Sequence, residues 1–376
     1  MTRKALIGAR ILTQSGWRTD HALLIDRPTI VDVVSDSRVP TGFDPVRLGG
    51  GMLVPGFIDT QVNGGGAVLF NESPTIDGIR AIAEAHREFG TTAMLPTLIS
   101  DDFDVIERGI AAVRGAIAIG IPGILGIHIE GPFLNVEKKG IHDASKIRKM
   151  DERAVNLLSS LGLGKTLVTL APETVAPDLI AELTARGVIV SAGHTLATSE
   201  DMDRAISEGL QAITHLFNAM PPLASRTPGA AGAGLASSLI CGVIADGHHV
   251  HPTAMRAAFR AKGPDELMLV TDAMPTVGTD IDTFLLGETE IFRDRGALRS
   301  RDGTLAGSDL DMARAVRNAV SSMRVELADA CKMASATPAA LLGLAGTYGC
   351  LAPHARADIV HLSEDIEVVR TWIGGE

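Results

Sequence analysis

Short apolar runs alternate with amphipathic segments over most of this chain. Eight runs are bounded by Gly, Pro or charged residues and predict strands that are buried on both faces of a parallel sheet. They lie at residues 53–61, 91–99, 123–130, 166–173, 187–194, 212–216, 240–246 and 266–272. Apolar residues at three- and four-residue spacing predict helices between many of these runs, the clearest at residues 75–90, 151–162, 176–187, 197–209 and 251–263.

This repetition favours a closed barrel. Eight strand–helix units in roughly 290 residues match the size of a (β/α)8 barrel. An open, doubly wound sheet is the alternative, and a glycine-rich dinucleotide turn after its first strand would favour it. The glycine-rich stretch at residues 63–66 does not lead into a clear helix, so the barrel remains the preferred prediction.

Both ends of the chain have a different pattern. Short alternating or apolar runs, broken by Gly, Pro and Asp, predict strands and turns before residue 53 and after residue 346. We therefore predict an α/β protein in which residues 53–346 form a TIM-like (β/α)8 barrel. Residues 1–52 and 347–376 are predicted to form one small β-sandwich domain from both chain ends.

Composition and charge exclude several classes of function. The net charge of −11 argues against a nucleic-acid partner, which would require a basic face. The start of the chain carries charges among its apolar residues, unlike a signal peptide, and no run approaches the length of a membrane span. Three scattered cysteines, Cys241, Cys331 and Cys350, indicate free buried thiols. We predict a soluble cytoplasmic protein.

Four polar residues follow predicted strands at the point where each strand ends. They are Glu130, His194, His215 and Asp272. Because the carboxyl ends of parallel strands meet at one mouth of a barrel, these side chains are expected to converge there. One carboxylate and two imidazoles are suited to Zn²⁺ or Fe²⁺, and three protein ligands leave a position open for chemistry.

Each of these residues also has an ordinary structural explanation. Glu130 could pair with Lys138 or Lys139, and either histidine could be a hydrogen-bonded loop residue. Asp272 could cap a helix or pair with an arginine. Their joint occurrence favours the metal site. With such a site in place, Asp272 is predicted to be a general base that accepts a proton from the attacking water.

Seven motifs, in order along nearly the whole chain, resemble the amidohydrolase superfamily and, within it, the N-acetylglucosamine-6-phosphate deacetylases. They are PGFIDTQVNGGG (55–66), HIEGPFLN with KKGIH (128–142), SAGHT (191–195), THLFNAM (214–220), IADGHHV (244–250), LVTDAM (269–274) and TLAGSDLDM (304–312). The resemblance implies that Glu130, His194 and His215 are the metal ligands. It also implies that Asp272 is the catalytic acid and base, and that His142 helps to polarise the acetyl carbonyl.

The resemblance also implies a set of substrate contacts. Asn218 and Ala219 match contacts to the sugar phosphate, and Arg226 and His249 match residues around the phosphate. A loop that closes over the substrate matches Leu305, Ala306, Gly307 and Ser308. In similar enzymes the arginine comes from the neighbouring subunit, which implies a homodimer in which Arg226 serves the other active site. A guanidinium is well suited to a phosphate, because its planar fork can donate two parallel hydrogen bonds.

One departure from the wider superfamily concerns the number of metal ions. Many members carry two histidines after the first barrel strand that hold a second metal, whereas this chain has Gln61 and Asn63 there. Amides are poor Zn²⁺ ligands compared with imidazoles. We therefore predict one divalent ion per subunit, with Zn²⁺ expected and Fe²⁺ as the alternative, and assign Gln61 and Asn63 to the substrate-binding side of the site.

The reaction implied is hydrolysis of the N-acetyl group of N-acetylglucosamine 6-phosphate, a small-molecule substrate. The alternatives are a deacetylase of the galactosamine epimer, a deaminase, a cyclic-amide hydrolase or a non-catalytic sugar-phosphate sensor. A sensor would not require Asp272, so the sequence favours an enzyme.

Overall fold

The computed structural model describes residues 3–376, which begin with a run of short strands. These strands are β1 (Lys4–Ile7), β2 (Arg10–Thr13), β3 (Gly16–Arg18), β4 (His21–Asp26), β5 (Thr29–Ser35), β6 (Asp44–Arg47) and β7 (Met52–Pro55). One sheet has the order β5-β4-β1-β6, and β2, β3 and β7 lie in another. No helix longer than a single 3-10 turn interrupts this part of the described chain.

The next part of the chain forms a barrel. Its strands and one short hairpin are β8 (Phe57–Val62), β9 (Gly64–Gly65), β10 (Val68–Leu69), β11 (Thr91–Ile99), β12 (Gly126–Glu130), β13 (Lys165–Leu170), β14 (Ile189–Ala192), β15 (Ala212–Ile213), β16 (Ile240–Ile244) and β17 (Leu267–Val270). All except the β9–β10 hairpin form one parallel sheet in sequential order. The first and last strands meet where the Asp272 N–H donates to the Gln61 carbonyl at 3.0 Å, so the sheet closes.

The predicted barrel is therefore confirmed, with one change at its first strand. The run at residues 53–61 is two strands, β7 and β8, which are separated at Gly56. The side of Gly56 where a Cβ would lie is filled by the Thr92 side chain. The chain passes at this glycine from one sheet into the other.

Helices lie between the barrel strands and after them. They are α1 (Ile76–Arg87), α2 (Phe103–Ala118), α3 (Glu152–Leu158), α4 (Leu179–Ala185), α5 (Ser199–Ser207), α6 (Gly229–Ala236), α7 (Pro252–Glu266), α8 (Met312–Asn318), α9 (Leu327–Ala334) and α10 (Ala336–Leu341). Several begin at the caps that the sequence suggests: Thr75 accepts from the Gly78 N–H, and Thr198 forms a capping box with Asp201. Their apolar faces pack on the barrel in one large core of mainly aliphatic residues.

An antiparallel sheet, which the sequence patterns did not predict, follows the last barrel strand. Its strands are β18 (Thr283–Leu286), β19 (Thr289–Asp294), β20 (Ala297–Ser300) and β21 (Leu305–Ser308). The prediction that Leu305, Ala306, Gly307 and Ser308 form a loop is wrong, because they are strand β21. The Ser308 N–H donates to the Asp272 carbonyl at 2.8 Å, which fixes β21 against the end of the barrel.

The end of the chain returns to the first strands. β22 (Ile359–Leu362) pairs with β7, and β23 (Val368–Trp372) pairs with β22, which gives a sheet of order β23-β22-β7-β2-β3. Side chains from both small sheets share a core that includes Leu6, Leu23, Leu53, Ile359 and Trp372. The predicted β-sandwich formed from both chain ends is thereby confirmed.

Two further features bear on the class of protein. Within residues 3–376, no helix combines the length and apolar character that a bilayer crossing requires. Cys241, Cys331 and Cys350 are free and buried, as the sequence predicted.

Candidate metal centre and active site

The candidate site lies at the carboxyl ends of the barrel strands. Glu130 is the last residue of β12, whereas His194, His215 and Asp272 each come two residues after the end of their strand, β14, β15 and β17. The same two-residue offset carries these three side chains to the same mouth of the barrel. The prediction that these four residues converge at one mouth of the barrel is confirmed.

The backbone at these positions is unusual. His194, His215 and Asp272 have φ values of 50°, 32° and 54°, in the region that L-residues rarely adopt. A left-handed conformation costs roughly 1–2 kcal/mol for such a residue. Residues in these conformations cluster at functional sites, because the surrounding structure must enforce them.

Three potential metal-binding atoms converge at the centre of the site. The Glu130 Oε1 lies 3.1 Å from the His194 Nε2 and 3.0 Å from the His215 Nε2, and the two Nε2 atoms are 3.0 Å apart. Two ligands of one tetrahedral Zn²⁺ are separated by about 3.3–3.4 Å, given bonds of about 2.0–2.1 Å. The triangle is close to that size, and these residues could hold one metal ion.

The surroundings of the triangle orient its members. The His194 Nδ1–H donates to the Lys138 carbonyl at 2.8 Å, which leaves the lone pair of Nε2 free for a metal. The Gln61 Nε2 donates to both oxygens of Glu130, at 3.2 and 3.1 Å, and to the Asp272 Oδ1 at 3.2 Å. Gln61 therefore bridges the two buried carboxylates from below.

The two carboxylates differ in their electrostatics. Burial acts to raise the pKa of Glu130, but the His194 and His215 imidazoles outweigh burial and hold that pKa well below its usual range. Burial, and after it the negative charge of Glu130, raise the pKa of Asp272 to about 6. The Asn63 Nδ2 donates to the Asp272 Oδ1 at 2.6 Å and opposes that rise. The electrostatics thus keep Glu130 ionised, as a metal ligand would be, and bring the pKa of Asp272 closer to neutral pH.

His142 stands beside the triangle, with its ring centroid 4.5 Å from that of His194. The Ser100 N–H donates to the His142 Nδ1 at 3.2 Å, so the ring proton must lie on Nε2. Burial, assisted by the neighbouring His194, lowers the pKa of His142 to about 3. The ring is therefore neutral and can offer one N–H donor to a carbonyl oxygen.

A cavity of about 360 Å³ opens above these groups, a size typical of sites for small molecules. Among the residues assigned from the sequence, its lining includes Asn63, Glu130, His142, His194, His215, Asn218, Ala219, His249, Asp272, Leu305 and Gly307. The His249 Nδ1 donates to the Asp246 Oδ2 at 2.6 Å, which fixes the orientation of that ring.

Four residues assigned to the substrate do not line this cavity. Ala306 and Ser308 are buried, because successive residues of β21 point to opposite faces and only Leu305 and Gly307 face the cavity. Gln61 lies beneath the carboxylates. Arg226 is exposed in the loop at residues 222–227, and it is not among the residues that line the cavity of its own chain.

Several lining residues were not identified from the sequence. They are Ile99, Glu137, Lys138, Gly140, Ile141, Ile244, Met274 and Thr304. Ile99 and Ile244 are the last residues of barrel strands β11 and β16. The rule that strand ends meet at one mouth of the barrel, which identified Glu130, could therefore have identified them too. Ser100, which positions His142, comes directly after β11 and could have been found in the same way.

Comparison with known proteins agrees with this geometry. The sequence model of the Amidohydrolase family matches residues 52–376. The chain is 45% identical over 372 residues to an N-acetylgalactosamine-6-phosphate deacetylase from a Shewanella species, covering 98% of this chain and 94% of that protein. It is 31% identical over 375 residues to an N-acetylglucosamine-6-phosphate deacetylase from Haemophilus influenzae, covering 99% and 98%.

The fold is similar to that of solved relatives as well. The crystal structure of the N-acetylglucosamine-6-phosphate deacetylase from Pasteurella multocida superposes with a TM-score of 0.97 at 32% sequence identity, covering 100% of this chain and 99% of that chain. The family match, the full-length relatives and the convergent ligand triangle lead to one conclusion: the chain belongs to the amidohydrolase family.

Proposed function

We propose that the protein hydrolyses the N-acetyl group of N-acetylglucosamine 6-phosphate to give glucosamine 6-phosphate and acetate. The observation that carries this proposal is the triangle of Glu130, His194 and His215 beside a buried Asp272, in a cavity of substrate size. The deacetylases among the full-length relatives support the same reaction.

The donor set suits one divalent ion, with Zn²⁺ expected and Fe²⁺ as the alternative. One carboxylate and two imidazoles match the ligand sets of catalytic sites with an open position. When bound, such an ion would act as a Lewis acid that acidifies water and polarises a carbonyl oxygen. Gln61 and Asn63 stand where further imidazoles would be needed for a second ion, and their amide groups already donate to Glu130 and Asp272. This supports a stoichiometry of one.

The side chains divide the chemistry between them. Asp272 takes a proton from the attacking water and later delivers it to the departing sugar nitrogen, so that acetate and a free amine result. A bound cation next to Asp272 would lower its pKa from about 6, which favours the ionised base at neutral pH. His142 donates its Nε2–H to the acetyl oxygen and stabilises the negative charge that develops there.

The phosphate requires positive charge that the acidic chain lacks overall. Lys138 lines the cavity and is the cationic candidate within one chain, and His249 lies in the same lining. Arg226 is exposed and outside that lining. We infer a homodimer in which Arg226 reaches the phosphate in the neighbouring subunit.

The free buried cysteines are consistent with a reducing compartment, which supports the cytoplasm as the location of the protein.

The second candidate is the galactosamine epimer of the same substrate. The Shewanella relative, at 45% identity, acts on N-acetylgalactosamine 6-phosphate. The two sugars differ in one hydroxyl configuration, and the same metal site and base would serve both. Acetate release measured on both epimers separates the two candidates.

Glu130→Gln should remove most of the metal. The change deletes the only anionic ligand of the triangle, and an amide is a poor ligand for Zn²⁺. Metal analysis after gel filtration should find about one ion per wild-type chain and at least about tenfold less in the variant. The control is Glu137→Gln, an exposed carboxylate on the cavity wall, which should keep the metal. Full metal content in Glu130→Gln would refute the ligand assignment.

Asp272→Asn should abolish most of the turnover without loss of the metal. The wild type should release acetate from N-acetylglucosamine 6-phosphate, and the variant should do so about 10²–10⁴-fold more slowly, because the amide cannot accept a proton. Acetate and ammonia are measured in parallel on both epimers, with and without a chelator.

The same panel distinguishes the rival functions. Faster acetate release from N-acetylgalactosamine 6-phosphate would show that the galactosamine epimer is the preferred substrate. Release of ammonia without acetate would indicate a deaminase. Unaltered turnover in Asp272→Asn would exclude this residue as the acid and base.

Arg226→Ala should weaken the binding of phosphorylated substrates and leave the binding of unphosphorylated ones unchanged. Loss of a charge-assisted contact to phosphate should raise KM about 10–100-fold for the sugar phosphate and leave unphosphorylated N-acetylglucosamine unaffected. Arg260→Ala, an exposed arginine on α7, is the matched control. Equal effects on both substrates would remove Arg226 from the phosphate site.

A mixed dimer tests whether Arg226 acts across the interface. Arg226→Ala and Asp272→Asn chains are each defective alone. If Arg226 serves the partner, their heterodimer contains one complete site and regains activity. Absence of complementation in an isolated heterodimer would contradict the proposed arrangement.

A further inference from the structure

Asp59 is a fully buried carboxylate that the proposed reaction does not use. It lies on β8, two residues before Gln61, and no part of it is exposed. Within residues 3–376, no lysine, arginine or histidine forms an ion pair with it. A buried carboxylate without a cation is costly unless several donors satisfy it.

The donors to Asp59 come from the two ends of the barrel sheet. The Oδ1 accepts from the backbone N–H groups of Gln61, at 3.2 Å, and of Thr271, at 3.3 Å. The Oδ2 accepts a short hydrogen bond from the Thr271 hydroxyl. Asp59 thus joins the first barrel strand to the residue directly before Asp272.

The Thr271 hydroxyl continues this connection to the other side of Asp272. While its proton goes to Asp59, its Oγ1 accepts from the Ala273 N–H at 3.2 Å. The residues before and after Asp272 are therefore linked through one hydroxyl group. The link spans Asp272, whose φ is 54°.

Two further backbone contacts complete the fixation of this turn. The Asp272 N–H donates to the Gln61 carbonyl at 3.0 Å, and the Asp272 carbonyl accepts from the Ser308 N–H at 2.8 Å. The Ser308 hydroxyl donates to the Thr271 carbonyl at 2.5 Å. Every backbone polar group around Asp272 is thus engaged, as a left-handed residue with a side chain requires.

We propose that Asp59 and Thr271 form a clasp that positions Asp272 for proton transfer by enforcing its left-handed backbone. Neither residue lines the cavity, so both are positioning residues rather than catalytic ones. The proposal rests on the function proposed above, since it assigns Asp272 the proton transfer that the clasp serves. A misplacement of about 1 Å at a reacting group can cost about 10²-fold in rate.

Thr271→Val is the sharpest variant, because it removes the hydroxyl and keeps the branched shape. Amide hydrogen exchange of residues 267–276 should become faster, whereas metal content should not change. For acetate release, kcat should fall at least about tenfold and KM should stay within about threefold. Thr271→Ser, which retains the hydroxyl, should restore kcat to within about threefold of the wild type.

Thr60→Val is the matched control. Thr60 is a buried threonine on β8, and its hydroxyl contacts only the Met268 Sδ at 3.9 Å among the described residues. This variant should leave exchange at residues 267–276 and kcat near wild type. Wild-type kcat in Thr271→Val, an equal loss in Thr60→Val, or no rescue by Thr271→Ser would each overturn the proposal.

The failure of this proposal can be told apart from the failure of the proposed function. If the wild type releases no acetate from either epimer, the proposed function is wrong. The clasp is then tested only by comparing hydrogen exchange at residues 267–276 between Thr271→Val and the wild type. If the wild type is active while exchange at residues 267–276 is the same in Thr271→Val, the clasp is wrong and the function stands.

Discussion

The active site is built around three electron-rich atoms at the mouth of the barrel, the Glu130 Oε1, the His194 Nε2 and the His215 Nε2. They lie within 3.0–3.1 Å of one another. The Glu130 oxygen and the His194 Nε2, whose ring proton lies on Nδ1, repel each other at such a distance unless a positive charge lies among these atoms. Their surroundings favour this arrangement, because the Lys138 carbonyl holds the proton of His194 on Nδ1 and Gln61 fixes Glu130. The site is therefore organised for a cation before any substrate is considered.

The barrel brings these atoms together through a repeated local feature. Three of the four central residues come two positions after a strand and have a left-handed backbone. Each such residue costs roughly 1–2 kcal/mol, and neighbouring hydrogen bonds must offset this cost. Around Asp272 the bonds come from β8 on one side and from β21 on the other. The antiparallel sheet that contains β21 thereby contributes to the geometry of the base, although most of it lies outside the barrel.

The sequence predicted the parts of the structure that local pattern and strand order determine. Eight apolar runs gave the eight barrel strands, and the rule that strand ends meet gave Glu130, His194, His215 and Asp272. Pattern could not predict β18–β21, since their alternation of charged and apolar residues is short. Alternation along β21 separates Leu305 and Gly307, which face the cavity, from the buried Ala306 and Ser308.

Other features require tertiary contacts that no local pattern contains. The amide of Gln61 was expected at the substrate, yet it lies beneath two carboxylates that come from distant parts of the chain. The exposure of Arg226 likewise depends on how the stretch at residues 222–227 is oriented. The clasp of Asp59 and Thr271 joins residues more than 200 positions apart, since the two barrel strands meet only when the sheet closes.

X-ray absorption spectroscopy of the purified, metal-loaded protein tests whether Glu130, His194 and His215 together hold a single ion. We expect coordinating atoms that are only nitrogen and oxygen at about 2.0–2.2 Å, with multiple scattering from two imidazoles. We also expect no metal–metal scattering at about 3.5–4 Å. A sulfur ligand, a metal–metal vector or a shell without imidazole would contradict a single ion held by Glu130, His194 and His215.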